Sequence, residues 1–159
     1  MDILFDEKSV QQNLVSWFKV NSYTVIEQCV DNPISFNDIT RCRTHETLGI
    51  DVVAKRNNGI YAFSTDTNSS LVNQLWIIEV KGETKGGKAA AFASFHYGLG
   101  QIMTRMNVIS TSINYALAVP NTDNFVSPVK KILNTEVLSV LNLSIILVRP
   151  NHEPIFLNS

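Results

Sequence analysis

The sequence has little cysteine, no excess of either charge and no long apolar run. Its two cysteines, Cys29 and Cys42, form no CxxC pair, and none of the three histidines has zinc-type spacing. We therefore expect two ordinary thiols of a cytoplasmic protein rather than a disulfide framework or a zinc site. No stretch approaches the roughly 20 apolar residues of a membrane span, and the first residues are acidic rather than signal-like. These features predict a cytoplasmic protein without a membrane segment.

The charge balance limits how this chain could bind nucleic acid. It has 13 Lys and Arg against 14 Asp and Glu, so bulk positive charge does not hold it on DNA or RNA. A nucleic-acid enzyme is compatible with this balance if metal ions and local basic clusters supply the positive charge. Hydrophobic residues make up 45% of the chain, which is typical of a globular protein, and its length predicts one domain spanning 1–159.

The periodicity of the apolar residues predicts an α/β domain with a mixed central sheet flanked by helices. We expect the order α-β-β-β-α-β-α-β, with a fourth early strand as an alternative. The predicted elements are a helix over 6–20, strands over 23–30, around Asp51, over 60–64 and over 75–81, a helix with an apolar stripe from Phe92 to Met106, a strand over 113–119, a helix starting at Ser127-Pro128 and extending towards Leu141, and a strand over 143–148. For the last helix, Ser127 is the expected cap, and Pro128 is expected in the first turn.

One predicted strand ends in charged residues. The apolar run Leu75-Trp76-Ile77-Ile78 leads directly into Glu79-Val80-Lys81, and the alternation of a strand puts Glu79 and Lys81 on the same face. Burying either charge costs several kcal/mol unless it is paired or bound to metal. Upstream, Asp51 stands alone within a second apolar segment. Two carboxylates and a lysine on neighbouring strands predict metal-dependent phosphodiester hydrolysis.

These residue types suggest specific roles. Mg²⁺ and Mn²⁺ prefer oxygen ligands, and we expect the carboxylates of Asp51 and Glu79 and the backbone carbonyl of Val80 to supply them. Lys81 is expected to position or deprotonate a water, or to stabilise developing charge. An alternative is an ion pair between Asp51 and Lys81 without catalytic function. Because an empty acidic pocket repels itself, neutralising Asp51 or Glu79 should leave the fold unharmed or slightly more stable.

Two predicted helices are expected to contribute further site residues. Glu7 belongs to the apolar stripe of the first helix and should face inward, either as a metal or water ligand or as a first-turn acid that stabilises the helix dipole. On the later helix, Gln101 and Arg105 face the same way and could hold the lysine or a phosphate. A solvated helix face is the alternative for Arg105. Gly98 and Gly100 lower the helix propensity, which predicts that the sheet or a ligand approaches closely.

Two short basic clusters are candidate phosphate contacts. Lys85 and Lys88 follow directly after the charged strand, and Arg41 and Arg43 lie in a polar loop upstream. Each cluster predicts binding to DNA phosphates, with a solvated loop as the alternative. Such contacts position a nucleic acid without specifying its sequence. Tyr97 could stack on a substrate, although we expect it to pack in the interior.

With these elements in this order, the chain resembles the PD-(D/E)XK nuclease superfamily, which has the restriction-endonuclease-like fold. The matching motifs are Gly49-Ile50-Asp51, Glu79-Val80-Lys81 and Gly98-Leu99-Gly100-Gln101. The resemblance extends from about Glu7 to Val148. It implies a restriction-endonuclease-like core, the roles given above for Asp51, Glu79 and Lys81, and an acid of the first helix at the site. Two departures are Ile50, where the family has proline, and the long stretch 57–74.

The resemblance also implies DNA as the substrate. No recognition module is present, so selectivity would need a homodimer, a protein partner or a structure-specific substrate. The glycine-glutamine helix followed by Ala118-Val119-Pro120 also resembles small excision-controlling factors of cyanobacterial elements. The alternative function is therefore a catalytically silent nucleic-acid-binding accessory protein of a mobile-element or defence system. The intact set Asp51, Glu79 and Lys81 favours the enzyme.

Overall fold

A computed structural model of the chain describes residues 5–27, 51–56, 75–106 and 113–157. Within these ranges, six strands form one mixed sheet that is flanked by helices, so the predicted α/β architecture is confirmed. The elements are α1 (Glu7–Val20), β1 (Tyr23–Glu27), β2 (Val52–Arg56), β3 (Leu75–Val80), α2 (Gly87–Thr104), β4 (Ile113–Pro120), α3 (Asp123–Leu133), α4 (Val137–Leu141), β5 (Leu143–Val148) and β6 (Ile155–Leu157). The predicted strand 60–64, both cysteines, Arg41 and Arg43 lie outside the described residues.

The strands are hydrogen-bonded in chain order, and the type of pairing changes twice along the sheet. β1, β2 and β3 are antiparallel, β3, β4 and β5 are parallel, and β6 is antiparallel to β5. The three parallel strands therefore end at one common edge, where functional sites of α/β proteins usually lie. Because β2 and β6 run the opposite way, each of them begins at this same edge.

Each face of the sheet is covered by helices. Against one face pack α2, α3 and α4, with Phe95, Ile102, Phe125 and Leu138 fully buried among the strand side chains. Against the other face packs α1, which buries Val10, Leu14, Val15 and Phe18. Strands covered on both faces have nearly continuous apolar sequences, as β3 and β4 do. None of the helices in the described residues is long and apolar enough to span a membrane.

The predicted helix boundaries hold for α1 and fail for α3. The carboxylate of Asp6 accepts a hydrogen bond from the Ser9 amide at 2.8 Å and caps α1. The helix predicted to start at Ser127 starts at Asp123, and Pro128 lies buried inside it. Burial of Phe125 extends the helix upstream and outweighs the hydrogen bond that the proline removes.

Two further features of the C-terminal part differ from the prediction. The helix expected to continue towards Leu141 ends at Leu133, and a separate short helix, α4, follows it. The chain after β5 turns back at Pro150 and adds β6, a three-residue edge strand. A strand this short shows too little alternation to be recognised from sequence.

Candidate active site

The structure brings Asp51 and Glu79 together where β2 begins and β3 ends. Val52 pairs with Ile78 in the antiparallel register, so Asp51, the preceding residue, lies opposite Glu79 and on the same face. A carboxylate oxygen of Asp51 accepts a hydrogen bond from the Val80 amide at 2.7 Å. This bond fixes one carboxylate beside the backbone of the strand that carries the other.

Glu79 is at the centre of a buried network of charges. It is 1% exposed, and Lys81 is 8% exposed. The Lys81 ammonium donates to Oε1 of Glu79 at 2.6 Å, and the Arg105 guanidinium donates to Oε2. Each carboxylate oxygen of Glu79 therefore binds one cation, which compensates its desolvation. The expectation of a self-repelling acidic pocket is therefore wrong for Glu79, whose charge two cations compensate. The alternative of a solvated helix face is wrong for Arg105, which is 9% exposed.

Helix α2 lies directly over this network. A Cβ at Gly98 would stand 2.7 Å from Leu117 Cδ1 and 2.9 Å from Lys81 Cγ, whereas Gly100 faces open space. The predicted close approach is therefore confirmed at Gly98, where the sheet meets the helix, whereas no described residue approaches Gly100. Gln101 follows on the same side of the helix, but its buried Oε1 accepts no hydrogen bond from any described residue. It does not hold Lys81 in this arrangement.

Glu7 reaches the network from the other side of the sheet. Its carboxylate lies 3.7 Å from the Lys81 ammonium, and its side chain is 52% exposed. The prediction that Glu7 faces inward is wrong, because it is the first residue of α1 and lies beyond the core that Val10 and Leu14 fill. It is a first-turn acid that also contacts the site. Asp51 makes no such ion pair with Lys81, whose carboxylate partners within 4 Å among the described residues are Glu79 and Glu7.

Burial and the negative charge of Glu79 raise the pKa of Asp51 from 3.8 to about 7. The hydrogen bond from Val80 and the charge of Lys81 act in the opposite direction, without cancelling the rise. Although two cations neutralise Glu79, the surroundings of Asp51 thus still disfavour a further negative charge. A positive charge bound there would favour its ionised form.

The donor set can be tested against Mg²⁺ or Mn²⁺. Asp51, Glu79 and the Val80 carbonyl offer the oxygen ligands that these ions prefer, and Mg²⁺ needs only one or two carboxylates besides water and phosphate. The desolvated position of Asp51 and its raised pKa fit a bound cation. Within the described ranges, however, no three His, Cys, Asp or Glu side chains lie close enough to form a metal cluster. Both oxygens of Glu79 already bind protein cations, so a metal would share them with Lys81 and Arg105 or displace one of these cations.

The surface beside the network carries the remaining candidates. Tyr97, expected in the interior, is 68% exposed, and the Lys81 ammonium lies 6.0 Å from the centre of its ring. Lys85 and Lys88 are exposed at the turn where α2 begins. Arg105 is 9% exposed and bound to Glu79, so its guanidinium is not presented to a phosphate in this arrangement.

Sequence reasoning did not single out Glu83. Its carboxylate accepts hydrogen bonds from the Phe5 amide, the Thr122 hydroxyl and the Asn124 amide group. The available signal was a third charged residue in the alternating series formed by Glu79, Lys81 and Glu83. Such a series at the end of a buried strand indicates that each charge has a partner.

The chain was compared with protein-family models, with curated proteins and with solved structures, and no match was found in any of them. The resemblance to the PD-(D/E)XK superfamily therefore depends on the three sequence motifs. Function must be argued from the geometry of the site itself.

Proposed function

We propose that this protein is a metal-dependent nuclease that hydrolyses phosphodiester bonds in DNA and has a restriction-endonuclease-like core. The observation that carries the proposal is the convergence of Asp51, Glu79 and Lys81 at the edge where the parallel strands end. A cluster of buried charges that includes a strongly raised pKa is typical of functional sites. The exposed ring of Tyr97 lies 6.0 Å from the Lys81 ammonium, and Lys85 and Lys88 are exposed on the segment that follows Lys81.

Each residue has a defined role in this proposal. A bound Mg²⁺ or Mn²⁺ would polarise the scissile phosphate and acidify a water molecule. Asp51 and Glu79 would hold the ion through their carboxylates, and Val80 through its carbonyl. Lys81 orients the attacking water or stabilises the negative charge that develops on the phosphate. Lys85 and Lys88 bind neighbouring phosphates, which positions the DNA without selecting a sequence.

The proposal includes a cytoplasmic location and a partner. A domain of this size gains selectivity from a second copy of itself or from another protein. Analytical ultracentrifugation of the pure protein, with and without DNA, measures this directly. A homodimer supports the first arrangement, whereas a monomer in both conditions leaves the protein partner as the source of selectivity.

A second candidate function is a catalytically silent accessory protein that binds nucleic acid. One observation favours it: both oxygens of Glu79 already bind protein cations, Lys81 and Arg105. The negative charge of this carboxylate is thus compensated by protein cations without any metal. In such a protein, Glu79 would stabilise the fold, and the exposed Lys85 and Lys88 would bind nucleic acid without any cleavage.

Cleavage assays distinguish the two functions. Pure protein is incubated with linear, branched and single-stranded DNA, with Mn²⁺, Mg²⁺ or chelator. We expect metal-dependent cleavage that Lys81→Ala abolishes while DNA affinity stays nearly unchanged, because Lys81 acts on the transition state. The control Lys85→Ala with Lys88→Ala should instead lower affinity and flatten its salt dependence. Wild-type protein that binds these DNAs and never cuts them supports the accessory function.

Metal binding is tested separately by calorimetry. Wild-type protein should bind Mn²⁺ weakly, and Asp51→Ala should lose this binding because the carboxylate ligand is gone. Asp6→Ala is a suitable control, since Asp6 is an exposed carboxylate that caps α1 outside the network. Equal Mn²⁺ binding by wild type and Asp51→Ala would place the metal elsewhere.

A further inference from the structure

The segment that follows β3 is tied to the start of α1. The Glu83 amide donates to the Phe5 carbonyl at 3.0 Å, and the Phe5 amide donates to Oε2 of Glu83 at 3.3 Å. Oε1 of Glu83 accepts from the Thr122 hydroxyl at 2.8 Å and from the Asn124 side chain at 3.1 Å. One half-buried carboxylate thus joins Phe5, two residues before α1, and the start of α3 to the segment that follows β3.

Two details show that these contacts are specific. Thr122 occupies the cap position of α3, yet its hydroxyl makes no cap hydrogen bond and donates to Glu83 instead. A Cβ at Gly82 would collide with the backbone of Asp6 and Glu7. The first residues of α1 therefore lie directly on Gly82, and only glycine allows this approach.

This docking determines where Glu7 can reach. The Glu7 side chain is half exposed, so few packing contacts restrain it, and the position of its backbone decides which groups its carboxylate meets. That backbone rests on Gly82, and Glu83 holds Phe5 two residues upstream of it. The carboxylate lies 3.7 Å from the Lys81 ammonium. Lys81 has two carboxylate partners among the described residues, and one of them, Glu79, also binds Arg105. If Glu79 turns towards a metal, Glu7 is the partner that stays with Lys81.

We propose that Glu83 is a positioning residue that holds the start of α1 against the end of β3 and thereby keeps the Glu7 carboxylate beside Lys81. The inference rests on the proposed function for the catalytic role of Lys81, but the geometry that it concerns is independent of that role. Among the described residues, Glu83 binds neutral donors only. Removing it therefore leaves no buried cation unpaired, and its variants should fold.

Competitive acylation of the lysines tests the position of Lys81 without metal or DNA. Mass spectrometry compares the labelling of Lys81 with that of exposed Lys85 and Lys88 in the same sample. Glu7→Gln and Glu83→Ala should each raise the relative labelling of Lys81 about threefold, as expected for loss of one partly exposed ion pair. The double variant should match Glu7→Gln alone, because both changes remove the same contact. Glu153→Gln, at an exposed acid, is the control.

Unchanged Lys81 labelling in Glu83→Ala, or effects of the two changes that multiply in the double variant, would overturn the proposal. If Glu83→Ala raises the labelling of all lysines together, the variant is partly unfolded, and the milder Thr122→Val replaces it. Thr122→Val removes a single donor to Glu83, and it is judged by the same measurement, the labelling of Lys81 relative to Lys85 and Lys88. Glu83→Gln keeps one acceptor oxygen and should label Lys81 to an intermediate extent.

Cleavage kinetics provide a second measurement. Glu83→Ala should lower kcat for DNA cleavage and change KM little, and it should have no further effect in Glu7→Gln protein. A merely structural residue would lower activity in both backgrounds alike, and that result would overturn the proposal. If wild-type protein cuts no DNA while Lys81 labelling behaves as expected, the nuclease function fails and the positioning role of Glu83 stands.

Discussion

The parallel strands β3, β4 and β5 have an antiparallel neighbour on each side, and the two junctions formed there have opposite chemistry. At the first, the start of β2 meets the end of β3, and Asp51 lies opposite Glu79. At the second, the start of β6 meets the end of β5, and Ile155 pairs with Leu147. We call them the charged junction (Asp51, Glu79, Lys81) and the apolar junction (Leu147, Ile155, Leu157). The topology supplies two similar junctions at one edge of the sheet. Their side chains decide which of the two junctions can bind a cation.

The two junctions should also respond differently to substitution. In the charged junction, Glu79 compensates the buried charge of Lys81, so removing this carboxylate leaves a desolvated cation without its close partner. The apolar junction borders a cavity of about 210 Å³, lined by Phe125, Val129, Leu133, Leu147 and Leu157 among others. There, stability follows the area and volume of apolar groups and changes by small, nearly additive steps.

The largest effect is expected from Glu79→Ala, which breaks the charged junction. Lys81 and Arg105 would stay buried without their carboxylate, and the free energy of unfolding should fall by about 3–5 kcal/mol. Urea denaturation measures this loss. In Arg105→Met protein, which lacks one of the cations, the same substitution should cost clearly less. Equal losses in both backgrounds would show that Glu79 and Arg105 are not coupled.

A pair of glycines tests how closely α2 must approach the charged junction. Gly98→Ala should lower stability by about 1–3 kcal/mol, because the new methyl group meets Leu117 and Lys81 at less than 3 Å. Gly100→Ala, in the same helix, meets open space and should raise stability by up to about 1 kcal/mol through helix propensity. Thermal denaturation of both variants measures the difference. Destabilisation of equal size in the two would contradict the close approach at Gly98.

Asp51 should make the stability of the charged junction depend on pH. Its pKa is about 7 in the folded protein and near 4 in an unfolded chain. Between these values the folded state binds more protons, so stability falls as the pH rises. Asp51→Asn removes this fall and should gain on the order of 2 kcal/mol over wild type between pH 4 and pH 7.

Denaturation across this pH range measures the difference, and parallel profiles of the two proteins would contradict the raised pKa. Asp6→Asn gives a control of opposite sign. The hydrogen bond from Ser9 lowers the pKa of Asp6, so its stabilising effect is lost as the pH falls.

The sequence predicted the charged junction better than the residues around it. Strand alternation is a local rule, and it was enough to place Glu79 and Lys81 on one face. The position of Asp51 beside them depends on the register of β2 against β3, which only the structure gives. The positions of Arg105 and Glu7 depend on how α2 and α1 lie on the sheet, which no local pattern contains. Arg105 was therefore expected to be solvated and is buried, and Glu7 was expected to be buried and is half exposed.

The same distinction applies to the fold. The apolar periodicities predicted the α/β class and the order of the long elements, because each periodicity arises within a single element. The start of α3 was misplaced because a local signal, Ser127-Pro128, was overridden by the tertiary burial of Phe125. Strand β6 was missed because its three residues are too few to show a recognisable alternation.

The smallest effect is expected from Val129→Ile at the apolar junction. Val129 is buried on α3 and lines the cavity, so one added methyl group can fill empty space without a clash. The gain in stability should be at most about 0.8 kcal/mol, the value of one buried methylene. DNA cleavage should be unchanged, because the cavity lies beside β5 and β6 and contains no charged-junction residue. A drop in activity comparable to that of Glu79→Ala would mean that the two junctions are coupled through the sheet, and the separation drawn between them would be wrong.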